Sequence, residues 1–113
     1  MSIQSLQQAQ ADFAKDRNWR QFHSIRNLTL APVGEVGELS EVIQWEGEID
    51  RSFFADSTAK DQAFKEEIAN VFLYILRLAD IAGINLEEET EAKMLLNAKK
   101  YPISEFYGNS TKR

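Results

Sequence analysis

At 113 residues with 43% hydrophobic content, the chain can form one domain with a real core, and global disorder is excluded, although domains this small are often completed by self-association. The absence of cysteine excludes a disulfide framework and a thiolate metal site. A formal net charge of −5 provides no basic face for a polymeric nucleic acid, so none is expected as a partner.

The N-terminal stretch MSIQSLQQAQADF has neither a basic start nor an apolar run of signal-peptide length, and no later segment reaches the length of a membrane span. A cytoplasmic protein without membrane contact is expected. Ile3, Leu6, Ala9 or Gln10, and Phe13 recur at helical spacing behind Ser2 as N-cap, which predicts a first helix to about Lys15. The stretch DRNWRQFHS breaks the pattern. A second helical run extends from about Ser24 to Gln44, and Pro32 inside it either kinks the helix or restarts it. Gly47 and EIDRSFFADS read as a connector, whose Phe53 and Phe54 are expected to form an interface patch. Thr58 and Asp61 resemble a capping box that opens a third helix, and Gly83 supplies its stop. Asn85 followed by LEEE reads as the next N-cap, with acids where the helix dipole favours them, and the fourth helix runs to about Pro102. One domain over residues 1–102 and a polar tail over 103–113 are expected.

No alternating period-two segment of useful length occurs, so the fold class is all-α: a small bundle of about four helices, completed by dimer or tetramer packing. On the third helix Phe64, Ile68, Val71, Phe72, Ile75, Ala79 and Ala82 form an apolar stripe, with Glu67, Asn70 and Tyr74 along its edge. On the second, Val36, Leu39 and Ile43 share one side, and Glu35, Glu38, Glu41 and Trp45 occupy the adjacent one. Carboxylates three apart on a helix repel each other, so a solvated surface, a basic partner or a metal ion must offset the cost. If the stripes pack antiparallel, Glu35 and Glu38 face Glu67 and Asn70 across a cleft rich in oxygen, which suits a hard cation such as Mg²⁺. A di-iron carboxylate bundle is disfavoured, because the only histidine, His23, lies outside any Glu-x-x-His spacing.

Four blocks in order, DRNWRQFHSIRNL, GEVGELSEVIQW, EEIANVFLYILRLAD and KMLLNAKKYP, resemble the MazG-like, all-α nucleoside triphosphate pyrophosphatases, most of all their deoxycytidine triphosphate branch. The resemblance implies Mg²⁺-dependent hydrolysis between the α- and β-phosphates of a dCTP-like nucleoside triphosphate, to the monophosphate and pyrophosphate, in a homodimer or homotetramer. It makes Glu35, Glu38 and Glu67 catalytic metal ligands. At the fourth ligand position this chain has Asn70 where the family has aspartate, and an amide ligates without charge and is a poor base. Glu41 and Glu66 are candidate supporting or substitute ligands. By the same resemblance Trp19, His23 and Asn27 face base and sugar, with Tyr74 one turn beyond the metal pair and Trp45 an aromatic near the base. Lys93 and Asn97 contact phosphates, Lys93 compensating their charge during catalysis, and Tyr101 lies on the same side of the fourth helix as a substrate contact. The bland alternatives are core or interface packing for the tryptophans, a structural role for His23 and a solvated face for Lys93 and Asn97. Two further readings remain: a catalytically weak nucleotide-binding member, motivated by Asn70, and a structural helical assembly module.

Overall fold

A computed structural model describes residues 1–112. In order come α1 (Ile3–Asp16), a 3₁₀ turn (Arg20–Phe22), α2 (Ile25–Ile43), a second 3₁₀ turn (Arg51–Phe54), α3 (Thr58–Ala82), α4 (Leu86–Lys100) and the single-turn α5 (Ile103–Phe106). The described residues contain no strand, so the fold is all-α as expected. The chain divides into two compact units, Met1–Gly83 and the remainder from Ile84 onward.

Side-chain caps set the helix starts. The hydroxyls of Ser2 and Ser24 accept from the backbone N–H groups three residues on, supplying acceptors that the first helical turn lacks. α3 is capped in the same way by Ser57, which accepts from Lys60 N, so the cap lies one residue before the expected Thr58. Asp61 is instead paired with Lys65 at 2.9 Å and with Arg51. Gly83 ends α3 in the left-handed region at φ 71°, a conformation glycine adopts without Cβ strain. Pro32 neither ends nor restarts α2, which is one helix with the proline buried inside it.

In the first unit α2 and α3 are the main packed pair. Leu28 and Ala31 share a cavity wall with Tyr74, whereas Val42 shares another with Lys60 and Ala63, so the two helices run antiparallel. α1 lies on α3 and is pinned by two amides: Gln7 Nε2 donates to Leu76 O at 3.0 Å and Gln10 Nε2 to Leu73 O at 2.8 Å. The core of this unit is Ala14, Leu28, Pro32, Phe54, Leu76 and Ala79. Phe54 thus corrects the reading of the connector as an interface patch: its ring stacks on Phe64 at 4.5 Å and meets Phe53 edge-on at 5.0 Å.

The α3 stripe also splits. Phe64, Glu67, Val71 and Tyr74 are the half-buried face, while Ile68, Phe72 and Ile75 are exposed by 49%, 45% and 37%. Apolar residues summed around one helix merge two faces when both are apolar, and only one of them is covered within this chain. Glu67 therefore lies within the packed face and not at its edge.

In the second unit Asn85 caps α4 by accepting from Glu88 N. Glu87, Glu88 and Glu89 fill the first turn and Lys99 and Lys100 the last, each sign matched to its end of the helix dipole. The segment expected as a tail opens with α5, and Tyr101 meets Phe106 edge-on at 4.9 Å. The far end of that expected tail, Arg113, lies outside the described residues.

Candidate functional site

Packing α2 against α3 carries carboxylates into the seam. Glu35 lies on the same side of α2 as Leu28, Pro32 and Leu39, one turn apart each, so burying those residues half-buries Glu35. Glu67 stands between Phe64 and Val71 on α3 for the same reason. Glu38 lies three residues beyond Glu35 at the exposed rim. One oxygen from each of Glu35, Glu38 and Glu67 lies within 4.8 Å of the other two. Glu41 and Glu66 are outside this cluster, and Glu66 accepts from Gln62 Nε2 at 3.3 Å.

The electrostatic cost falls on Glu67. Its pKa is pushed up from 4.5 to about 7, first by proton sharing with Glu35, then by lost hydration, then by the charges of Glu35, Glu38 and Glu66. Its Oε2 atom is buried without a hydrogen-bond partner. A buried carboxylate oxygen with no donor, beside two further carboxylates, is a donor set for a hard cation, and the residues fit Mg²⁺. Lys60 shares a cavity of about 220 Å³ with Glu38 and Glu67, and its Nζ sits 4.9 Å from the Phe53 ring centroid.

A second cavity, of about 450 Å³, is walled by α1, by Trp19 and His23 on either side of the first 3₁₀ turn, by Leu28 of α2 and by α3. That volume falls within the roughly 300–1,000 Å³ of small-molecule sites. Asn18 ends α1 with φ 54°, a left-handed conformation that Asn tolerates, and the reversed chain delivers Trp19 against Phe13, edge-on at 5.6 Å. Trp19, His23 and Tyr74 line this cavity together with Asn70. With Asn27 the first three also line a neighbouring one of about 300 Å³. Asn27 holds the wall in place, its Nδ2 donating to Phe22 O at 3.0 Å. Trp45 is 88% exposed beyond the end of α2 and lines none of these cavities. Lys93, Asn97 and Tyr101 belong to the second unit.

Two polar residues of the larger cavity escaped the sequence reading. Gln10 places its amide nitrogen on Leu73 O and leaves Oε1 buried without a partner. Arg77 is buried at 4% exposure, with Nε donating to His23 Nδ1 at 3.1 Å and Nη1 to Asp80 Oδ2 at 3.1 Å. The signal for both was a polar residue at a core-facing position: Gln10 on the α1 stripe, and Arg77 between Leu76 and Leu78.

The comparisons with known proteins agree with one another. Residues 33–113 match the MazG-like family. The chain is 35% identical over 111 residues to dCTP pyrophosphatase 1 of Bos taurus, covering 98% of this chain and 66% of that protein. It is 37% identical over 101 residues to dCTP pyrophosphatase 1 of Homo sapiens, covering 89% of this chain and 59% of that protein. The chain therefore spans about two thirds or less of the length of these curated relatives. A pyrophosphatase from Archaeoglobus fulgidus superposes with a TM-score of 0.76 at 34% identity, covering 88% of this chain and 92% of that one.

The Glu67 shift gives a stability signature. A carboxyl whose pKa is higher folded than unfolded binds more protons when folded, so stability falls as pH rises from 4.5 through about 7 and is flat beyond. Thermal unfolding without divalent cation is expected to show a lower Tm at pH 8 than at pH 5 from this group. Mg²⁺ should restore the difference, and Glu67→Gln should remove both effects. A Tm indifferent to Mg²⁺ at pH 8 would contradict the proposed cation site.

Proposed function

This chain belongs to the MazG-like family, and from that premise we propose that it is a nucleoside triphosphate pyrophosphatase, cleaving a dCTP-like substrate between its α- and β-phosphates to the monophosphate and pyrophosphate. The observation that carries the reading is the convergence of Glu35, Glu38 and Glu67, with Glu67 Oε2 buried and unpartnered. We assign Glu35, Glu38, Glu67 and the amide oxygen of Asn70 to Mg²⁺. When bound, Mg²⁺ supplies neutralising charge to a polyphosphate and acidifies water.

The chain's own residues divide the remaining work. Trp19 and Tyr74 offer aromatic faces to a base in the larger cavity, whose wall is largely apolar. His23 lines that cavity and, with Asn27, the neighbouring one, and in our reading the two offer hydrogen bonds to the nucleoside. Asn70 lines the larger cavity and stands one turn along α3 from Glu67. Lys93, Asn97 and Tyr101 keep the phosphate and substrate roles that the family resemblance implies. The proposed setting is the cytoplasm, where removal of unwanted nucleotides would be the use. Among the described residues no helix is long and apolar enough to cross a membrane.

A homodimer or homotetramer is part of the proposal. Ile68, Phe72 and Ile75 form an uncovered apolar face, and Trp45 is nearly bare. Burial of such a face against a second copy would complete the core that this chain leaves half built.

Pyrophosphate release from dCTP is expected to require Mg²⁺, to stop on chelation and to fall on the order of a hundredfold in Glu67→Gln. An inert wild type with turnover restored in Asn70→Asp would instead establish the weak nucleotide-binding reading. In sedimentation the chain is expected to run as a dimer or larger, and a monomer at assay concentration would contradict the assembly.

A further inference from the structure

Arg77 is the only charged side chain among the described residues that is fully buried, and it sits in the most apolar stretch of α3. Burying a guanidinium is costly unless its donors find acceptors. Two are supplied: Asp80 Oδ2, one turn along the same helix, and His23 Nδ1, from the segment that links the 3₁₀ turn to α2. Asp80 is partly exposed and anchors the outer end of the guanidinium, which leaves Nε directed at the imidazole.

The direction of the second bond has a chemical consequence. A guanidinium is a donor only, so the His23 nitrogen it meets must carry a lone pair. In a neutral imidazole the proton then resides on Nε2. Protonation of Nδ1 would place two N–H groups head to head and cost the Arg77 bond. Burial first, then the positive charges of Arg77 and Arg20, also lowers the pKa of His23, which favours the neutral ring. Among the described residues no protein group accepts from Nε2. His23 meanwhile lines both cavities on the base side.

We propose that Arg77 is a positioning residue that locks His23 as the Nε2–H tautomer, so that the ring presents one hydrogen-bond donor to an acceptor atom on the nucleoside part of the substrate. The nucleotide half of this inference rests on the pyrophosphatase reading; the tautomer half does not. The role follows from direction: Arg77 touches the histidine and acts on the substrate through it.

His23 is the only histidine in the chain, so long-range ¹H–¹⁵N correlation spectra of the full protein without nucleotide contain a single imidazole pattern. In the wild type at neutral pH, Nδ1 is expected at the shift of an unprotonated nitrogen and Nε2 at that of an N–H nitrogen. Arg77→Met should move both toward the averaged values of free imidazole and raise the titration midpoint of the ring. Arg77→Lys, which retains a donor, should recover most of the wild-type pattern. With dCTP and Mg²⁺, Arg77→Met should raise KM about tenfold, with a smaller effect on kcat. A wild-type spectrum with the proton on Nδ1, or with averaged nitrogens, overturns the proposal without any variant, even if Arg77→Met fails to fold. A folded Arg77→Met whose spectrum matches the wild type also overturns it. Normal turnover with the wrong tautomer would reject the role of Arg77 alone. The expected tautomer with no turnover would reject the pyrophosphatase reading and with it the nucleotide-positioning role.

Discussion

The α2–α3 seam imposes the central constraint: a helix that buries a face buries everything on that face. Leu28, Pro32 and Leu39 draw Glu35 inward with them, and Phe64, Val71 and Tyr74 do the same to Glu67. The resulting carboxylate crowding is unfavourable and, with the hydrogen bond to Glu35 and lost hydration, raises the pKa of Glu67. Hydrophobic packing over the length of two helices is large enough to hold a local electrostatic penalty in place. The strain is therefore fixed by the fold and available to any cation that relieves it.

The two cavities that Trp19, His23 and Tyr74 line are shaped by different means. Part of their wall comes from chain reversal: the left-handed Asn18, the short 3₁₀ turn and the Ser24 cap bring Trp19, His23 and Asn27 together within nine residues. Their polar groups are then held from behind, Asn27 by Phe22 O, Gln10 by Leu73 O and His23 by Arg77. The carboxylate cluster and the larger cavity thus share α3, which carries Glu67 and, about one, two and three turns later, Asn70, Tyr74 and Arg77. A ligand spanning both regions would meet a single rigid helix.

What was legible in the sequence was what depends on neighbours along the chain. Ser24, Gly83 and Asn85 act through groups within three or four residues, and they end or start helices as their local chemistry dictates. Glu35 and Glu38 could be matched with Glu67 because helical spacing fixes their faces and antiparallel packing fixes the pairing. Thr58 offers the same hydroxyl chemistry one residue after the cap Ser57, so the local pattern does not separate the two. The two faces of α3 could not be separated, since both are apolar and only the partners of each tell them apart. Phe54, set in a polar connector, found its partner ten residues on in Phe64. Arg77 and Gln10 stand out locally only as polar residues at core-facing positions; what they bind lies 54 and 63 residues away and is set by tertiary packing.

On the proposed reading, the seam between α2 and α3 holds a divalent cation on Glu35, Glu38 and Glu67. Mn²⁺ accepts the same oxygen ligands as Mg²⁺ and scatters anomalously, so crystals grown with MnCl₂ test it directly. An anomalous peak is expected within coordination distance of all three carboxylates, including the buried Oε2 of Glu67. Ordered crystals with saturating Mn²⁺ and no peak between these side chains would contradict it.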